Sequence, residues 1–205
     1  MTTASTKNYS NPLYDALKQY PIVDLAPVYG KGVRGRTMSG RGSNWLLDKV
    51  YEAGVKTIID LRTADQTDRY YHNVMEAGME YHSIPIDSKA TDVHQIIASL
   101  PRLFELMDRG NFFMACAMGR HRTDIAIALY YVFHPTVPVD AVPEMKGHRN
   151  VEKKEFRYDD IAARLNSVMK SMTIEERDML GLDAGYETEF KCRKKHLFEV
   201  NSVFR

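Results

Sequence analysis

The chain has 205 residues, enough for one domain with a substantial core. Apolar content of 44%, charged content of 27% and a net charge of +1 are those of a soluble globular protein and exclude a broad electrostatic surface for nucleic acid or membrane, so any selectivity for anions must be local. The two cysteines make no disulfide framework, no basic-then-apolar leader opens the chain, and no apolar run nears the ~20 residues of a membrane span.

A cytoplasmic location is therefore expected, with export by a signal of another kind left open. In chain order, residues 1–12 are polar and expected to be loose. The stretch 26–44, APVYGKGVRGRTMSGRGSN, is rich in glycine and carries Lys31, Arg34, Arg36 and Arg41. It reads as a loop or irregular extended segment. NWLLDKVYEAG has apolar residues at helical spacing and a C-cap glycine in Gly54. VKTIIDLR (55–62) is a short, β-branched buried strand.

Residues 65–77 read as a helix that stops at Gly78, and MEYHSIPI (79–86) as a strand. DSKATD is a loop. VHQIIASLPRLFELMDRG (93–110) is a helix that Pro101 bends or divides in two. NFFMAC (111–116) is a buried strand and TDIAIALYYVF (123–133) an apolar helix. Residues 134–149, with three prolines, form a connection. The rest is charged and mainly helical, with Thr173 and Glu176 placed for a capping box.

This alternation predicts an α/β fold, a central, mostly parallel sheet covered by helices on both faces. We divide the chain into a partly loose N-terminal segment (1–25), an α/β core (26–149), and a helical C-terminal extension of the same domain (150–205). Ligands of such sheets gather beyond the carboxyl ends of the strands. CAMGRHRT (116–123) and DSKATD (87–92) both begin at such ends.

CAMGRHRT joins a buried strand to an apolar helix. Successive backbone amides in such a loop can turn inward as an anion nest, and the following helix adds the positive end of its dipole. Gly119 supplies a position where a tight or left-handed conformation costs little. Arg122 has the planar fork to hold two phosphate oxygens. Cys116 sits where a thiolate could attack phosphorus in line, and the Thr123 hydroxyl could donate to that sulfur as it leaves. Ala117, Met118, Gly119, Arg120 and His121 complete the candidate substrate-binding loop. A lone cysteine after an apolar strand is usually a small buried hydrophobe. Glycine, arginine and threonine at fixed positions between strand and helix argue for the cradle.

The loop resembles the Cys-x5-Arg-Ser/Thr signature of cysteine-dependent phosphatases. RTMSGRGSNWLLDKVYEAGVKTIIDLR resembles the upstream region of their dual-specificity branch, including its atypical members. The likeness covers roughly residues 28–135. It implies the protein tyrosine phosphatase fold and two-step phosphomonoester hydrolysis without metal or cofactor. Ala115 stands where the family usually has histidine, and Asp124 where it often has glycine. The first change bears on thiol acidity, and the second places a carboxylate that could repel an anionic substrate.

In the family an aspartate on an upstream loop protonates the leaving oxygen. By that resemblance Asp87, directly after a strand, is the expected general acid. Asp92 is the alternative, or else the N-cap of the next helix. His82 reads as structural. Arg62 with Asp60 either braces the site or forms a structural ion pair. Cys192, in a basic tail, reads as a surface or packing cysteine. The scattered histidines suggest no metal site.

For substrate, the expectations are a phosphotyrosyl or dual-specificity phosphoprotein, or else an inositol polyphosphate or phosphoinositide. Arg120 and His121 would reach extra phosphates in the second case. The 31–41 cations either line the same rim or are solvated and paired. Tyr29, Tyr70 and Tyr71 are available to wall a phosphotyrosine cleft. A poorly active phosphate-binding module is the rival reading. The oligomeric state is left open.

Overall fold

The computed structural model describes residues 10–29, 31–40, 42–63, 68–86, 92–146, 148–149, 156–157 and 159–202. Its centre is a five-stranded sheet of β1 (Ala26–Val28), β2 (Gly32–Arg36), β3 (Thr57–Asp60), β4 (Glu80–Ser83) and β5 (Phe112–Cys116), ordered β1-β2-β5-β3-β4. Only the β1–β2 pair is antiparallel; β2, β5, β3 and β4 run parallel. The two inner strands β3 and β5 are buried at every residue, which is why FFMAC is uniformly apolar and why the polar ends of TIID, Thr57 and Asp60, are buried as well.

Side chains alternate between the two faces. One face carries Val33, Ile58, Phe113 and Ala115 against α1 (Pro12–Leu17), α2 (Asn44–Glu52) and α3 (Asp68–Glu76), with Leu17, Leu47 and Val74 filling the space between. The other carries Ile59, Met114 and Cys116 against α4 (Val93–Arg109) and α5 (His121–Phe133). Beyond these lie α6 (Asp159–Ser171) and α8 (Tyr186–Ser202), with Leu165 and Leu197 in the same core. Gly54 and Gly78 end α2 and α3 at positive φ, as their positions in the sequence predict.

The structure departs from the sequence reading in three places. Residues 26–44 are not irregular throughout: they supply β1 and β2. Gly32 and Gly35, two of the glycines that suggested a loop, are there for packing, since their Cβ atoms would lie 2.6 Å from the Phe112 ring and 2.8 Å from the Phe113 ring. Pro101 neither divides α4 nor marks a boundary, because seven buried apolar side chains from Ile96 to Met107 hold one continuous helix against the sheet. The connection after α5 includes His148–Arg149 (β6), paired antiparallel with Phe156–Arg157 (β7), a small hairpin that short polar runs do not announce.

Residues 11–17 are tied down. Asn11 accepts from the Tyr14 amide at 3.0 Å as N-cap of α1 and donates to the Gly32 carbonyl at 2.8 Å. At the other end of the chain, α7 (Ile174–Met179) begins with the expected Thr173–Glu176 capping box. Helix α8 is anchored by Arg193, 2% exposed, which donates to the carbonyls of Tyr131 at 3.0 Å and Val137 at 2.8 Å. These satisfy carbonyls at the end of α5 and just beyond it. Asn201 adds a second anchor, accepting from the Met145 amide at 2.9 Å and donating to the Pro143 carbonyl at 3.1 Å.

Replacing Arg193 with methionine strips buried carbonyls of their donor. We expect a loss of roughly 2–4 kcal/mol in urea unfolding. An unchanged midpoint would show that apolar packing alone seats α8.

Candidate active site

Cys116 ends β5 and is 3% exposed. Residues 117–120 turn over the sheet edge, and α5 begins at His121. The amides of the first helical turn have no intrahelical acceptor, so the loop is closed by N–H groups and the positive end of a 13-residue helix. The Gly119 amide donates to the Cys116 carbonyl at 3.2 Å, and the Thr37 amide donates to the same carbonyl at 3.0 Å. Gly119 has φ +67° and lies directly on β2: an added Cβ would collide with the backbone of Gly35 and Arg36.

The Cys116 Sγ lies 3.6 Å from the Thr123 Oγ1. Thr123 is fully buried, and its hydroxyl also reaches the Arg120 carbonyl at 2.8 Å. The Nη1 of Arg122 is buried without a hydrogen-bond partner among the described residues. Cys116, Arg122 and Thr123 thus share one loop-and-helix junction.

Arg34, which the sequence left among the candidate rim cations, lies beneath that junction. It is 0% exposed and donates through Nη2 to the carbonyls of Gly119 at 2.7 Å and Arg120 at 3.2 Å, and to the Thr123 Oγ1 at 3.1 Å. Its Nη1 pairs with the buried carboxylate of Asp124. The other cations of 31–41 scatter. Lys31, at the opposite end of β2, pairs with Asp108 at 2.8 Å, whose carboxyl is held below its usual range. Burial pushes that carboxyl upward, and the bonds from Lys31, Tyr130 and His134 outweigh it. Arg36 is exposed at the edge of a pocket beside the loop, and Arg41 lies outside the described residues.

Arg120 and His121 are engaged with carboxylates. The Arg120 Nε donates to Asp24 at 2.7 Å, a bond that raises its already high pKa. His121 Nε2 meets Asp160 on α6 at 2.5 Å. Burial raises the Asp160 carboxyl, but the hydrogen bond with His121 and the charge of Arg164 together hold it below its ordinary range. Ala117 lines the pocket, and Met118 is 54% exposed beside it in sequence.

That pocket, about 510 Å³, is walled by Ile22, Met38 and Leu46, with Arg36, Arg62 and Ala117 at its loop side. Tyr29, Tyr70 and Tyr71 do not line it: Tyr70 is buried under the Arg62 guanidinium, 4.9 Å from its ring centre. Arg62 itself is clamped on Asp60 through Nε at 3.0 Å and Nη2 at 2.7 Å, and the Tyr81 hydroxyl donates to the same carboxylate at 2.9 Å. Of this pair, Arg62 also lines the pocket.

Asp87 lies outside the described residues. The described chain reaches Ile86, whose amide donates to the Leu61 carbonyl at 3.1 Å, beside the end of β3. Asp92 is the N-cap of α4, accepting from the Gln95 amide at 3.0 Å. His82 sits between Glu80 and Arg102 at 3.2 Å from each, and Cys192 is exposed on α8. Among the described residues no His, Cys, Asp and Glu cluster is arranged to hold a metal ion, and no helix is long and apolar enough to cross a membrane.

Residues 31–164 match the family model described as "DSP-PTPase phosphatase fused to NAD+ Kinase". The chain belongs to this family. It is a cysteine-dependent phosphatase of the tyrosine/dual-specificity type. Solved structures agree in fold. TpbA of P. aeruginosa is 17% identical with a TM-score of 0.54, over 78% of this chain and 91% of that one. A DUF442 protein of Shewanella putrefaciens CN-32 is 20% identical with a TM-score of 0.52, over 76% and 96% of the two chains. Tk-PTP in its active form is 14% identical with a TM-score of 0.52, over 75% and 99%. No curated protein sequence matches the chain.

Both departures from the family's pattern have a physical setting in this phosphatase. Asp124 does not face a substrate, as the sequence suggested it could. It is 0% exposed, paired with Arg34, and accepts from the Lys146 amide at 3.1 Å. Ala115 lies in register between Gly35 of β2 and Asp60 of β3, packed in the core on the face away from Cys116.

Gly119→Ala forces the loop off β2 because both the backbone conformation and the space fail. A displacement of about 1 Å there costs roughly 100-fold in turnover of a small aryl phosphate. Circular dichroism of the variant should be unchanged. Wild-type turnover would mean that the loop tolerates the shift.

Proposed function

We propose that Cys116 is the nucleophile of a two-step phosphomonoesterase. Its thiolate attacks phosphorus in line, the P–O bond to the leaving group breaks, and Asp87 delivers its proton to the departing oxygen. Asp92 is the alternative acid. Water then attacks the phosphocysteine, the carboxylate takes its proton, the S–P bond breaks, and inorganic phosphate leaves. The Thr123 hydroxyl donates to the sulfur in that second step. The Arg122 guanidinium and the amides of residues 117–122 hold the three peripheral oxygens as charge builds on them.

The observation that carries this reading is the buried Nη1 of Arg122, unpartnered among the described residues at the junction that also presents Cys116 Sγ 3.6 Å from a hydroxyl. Leaving such a donor unmatched costs about 1–3 kcal/mol in a folded protein. An oxyanion on the loop would satisfy it.

For substrate we favour phosphotyrosyl or dual-specificity phosphoproteins. The pocket next to Ala117 has apolar walls in Ile22, Met38 and Leu46 and a volume of about 510 Å³. The inositol polyphosphate reading needed Arg120 and His121 as spare cations, and both face carboxylates. It is the weaker of the two.

Release of phosphate from a small aryl phosphate tests the nucleophile. Cys116→Ser should lower the rate by more than about 10³-fold; equal rates would sink the assignment. Of Asp87→Asn and Asp92→Asn, the one that removes the acid should cost about 10²–10⁴-fold. It should also flatten the fall in rate at high pH, where the acid has lost its proton. Phosphotyrosyl and phosphoseryl peptides set against inositol polyphosphates decide the substrate, with the peptides expected to win.

A further inference from the structure

We propose that Arg34 is a positioning residue for the phosphate loop, acting from underneath with Asp124 as its counter-ion. The inference rests on Cys116 being the nucleophile. A guanidinium with no solvent exposure is rare in a β-strand and needs both charge compensation and hydrogen bonds. Asp124 supplies the charge, and the acceptors that Nη2 uses are all parts of the loop: the carbonyls of Gly119 and Arg120 and the hydroxyl of Thr123.

The geometry has two consequences. A peptide unit whose carbonyl is held downward presents the next amide upward, so fixing the Gly119 carbonyl turns the Arg120 amide toward the concavity above Cys116, while the Arg120 carbonyl is held as well by the Asp124 amide at 2.7 Å. The second consequence concerns one proton. Thr123 Oγ1 accepts from Arg34, and its single hydrogen goes either to the Arg120 carbonyl at 2.8 Å or to the Cys116 Sγ at 3.6 Å. Arg34 also donates to that same carbonyl, which weakens it as a competitor. Once the sulfur is anionic, the hydroxyl proton turns to it. Arg34 therefore supports the thiolate without touching it.

The test uses Arg34→Met and Arg34→Lys in a Cys192→Ser background, so that Cys116 is the only thiol. Urea unfolding establishes that each variant is folded at the assay temperature. Two readouts then report on the loop: affinity for inorganic phosphate by calorimetry, and the pH dependence of Cys116 alkylation by iodoacetamide. In folded Arg34→Met we expect phosphate affinity to fall about 10-fold or more and the alkylation midpoint to move to higher pH. Arg34→Lys keeps the charge opposite Asp124 but cannot fork to all three acceptors, so it should lie between. Wild-type values of both quantities in folded Arg34→Met would overturn the proposal. Should that variant not fold, wild-type values in Arg34→Lys overturn it. Turnover of aryl phosphate by the parent protein keeps the two ideas separate: no turnover sinks the reading of Cys116, whereas turnover with unaltered Arg34 variants sinks only the role of Arg34.

Discussion

The close seating of Gly119 on the backbone of β2 is the contact on which the carboxyl edge of this sheet depends. A loop that crosses a strand without a side chain between them has its carbonyls within reach of whatever that strand carries below. Here the strand carries Arg34. Gly35 is bare for a separate reason, since on the opposite face the Phe113 ring fills the space a side chain would take.

Much of the architecture could be read from the residues because the inner strands are short, buried and mostly apolar, and α2 and α3 stop at glycines with positive φ. Periodicity says little where the chain is short and glycine-rich, so β1 and β2 passed for a loop. In GVRGR the side chains that normally mark a strand are absent, since the neighbouring aromatic rings occupy that volume. Of the two readings of Pro101, division of the helix is the one that fails. One lost backbone bond is a local cost, and the buried face of α4 is a summed gain over many residues.

At the site, Cys116, Gly119, Arg122 and Thr123 could be named from spacing alone, because strand, loop and helix leave few ways to arrange them. Arg34 could not. Nothing in the sequence distinguishes an arginine that lines a rim from one that supports a floor. The only hint was the alternation of GVRGR, which sends Arg34 to the same face as Cys116, two positions before the strand ends in register with it. Asp124 was misread for the related reason that its partner lies 90 residues away. Arg120 and His121 looked like spare cations because Asp24 and Asp160, far off in sequence, were not yet beside them.

The pairing of Arg34 with Asp124 also bears on how such a chain can change over time. A buried ion whose counter-ion is removed becomes a liability, so neither residue can be lost alone without the other turning harmful. Substitution must then pass through an unstable intermediate or occur at both places together. Positions 34 and 124 are accordingly expected to behave as one inherited character: present as arginine with aspartate, or replaced jointly by an uncharged pair with a different way of holding the loop.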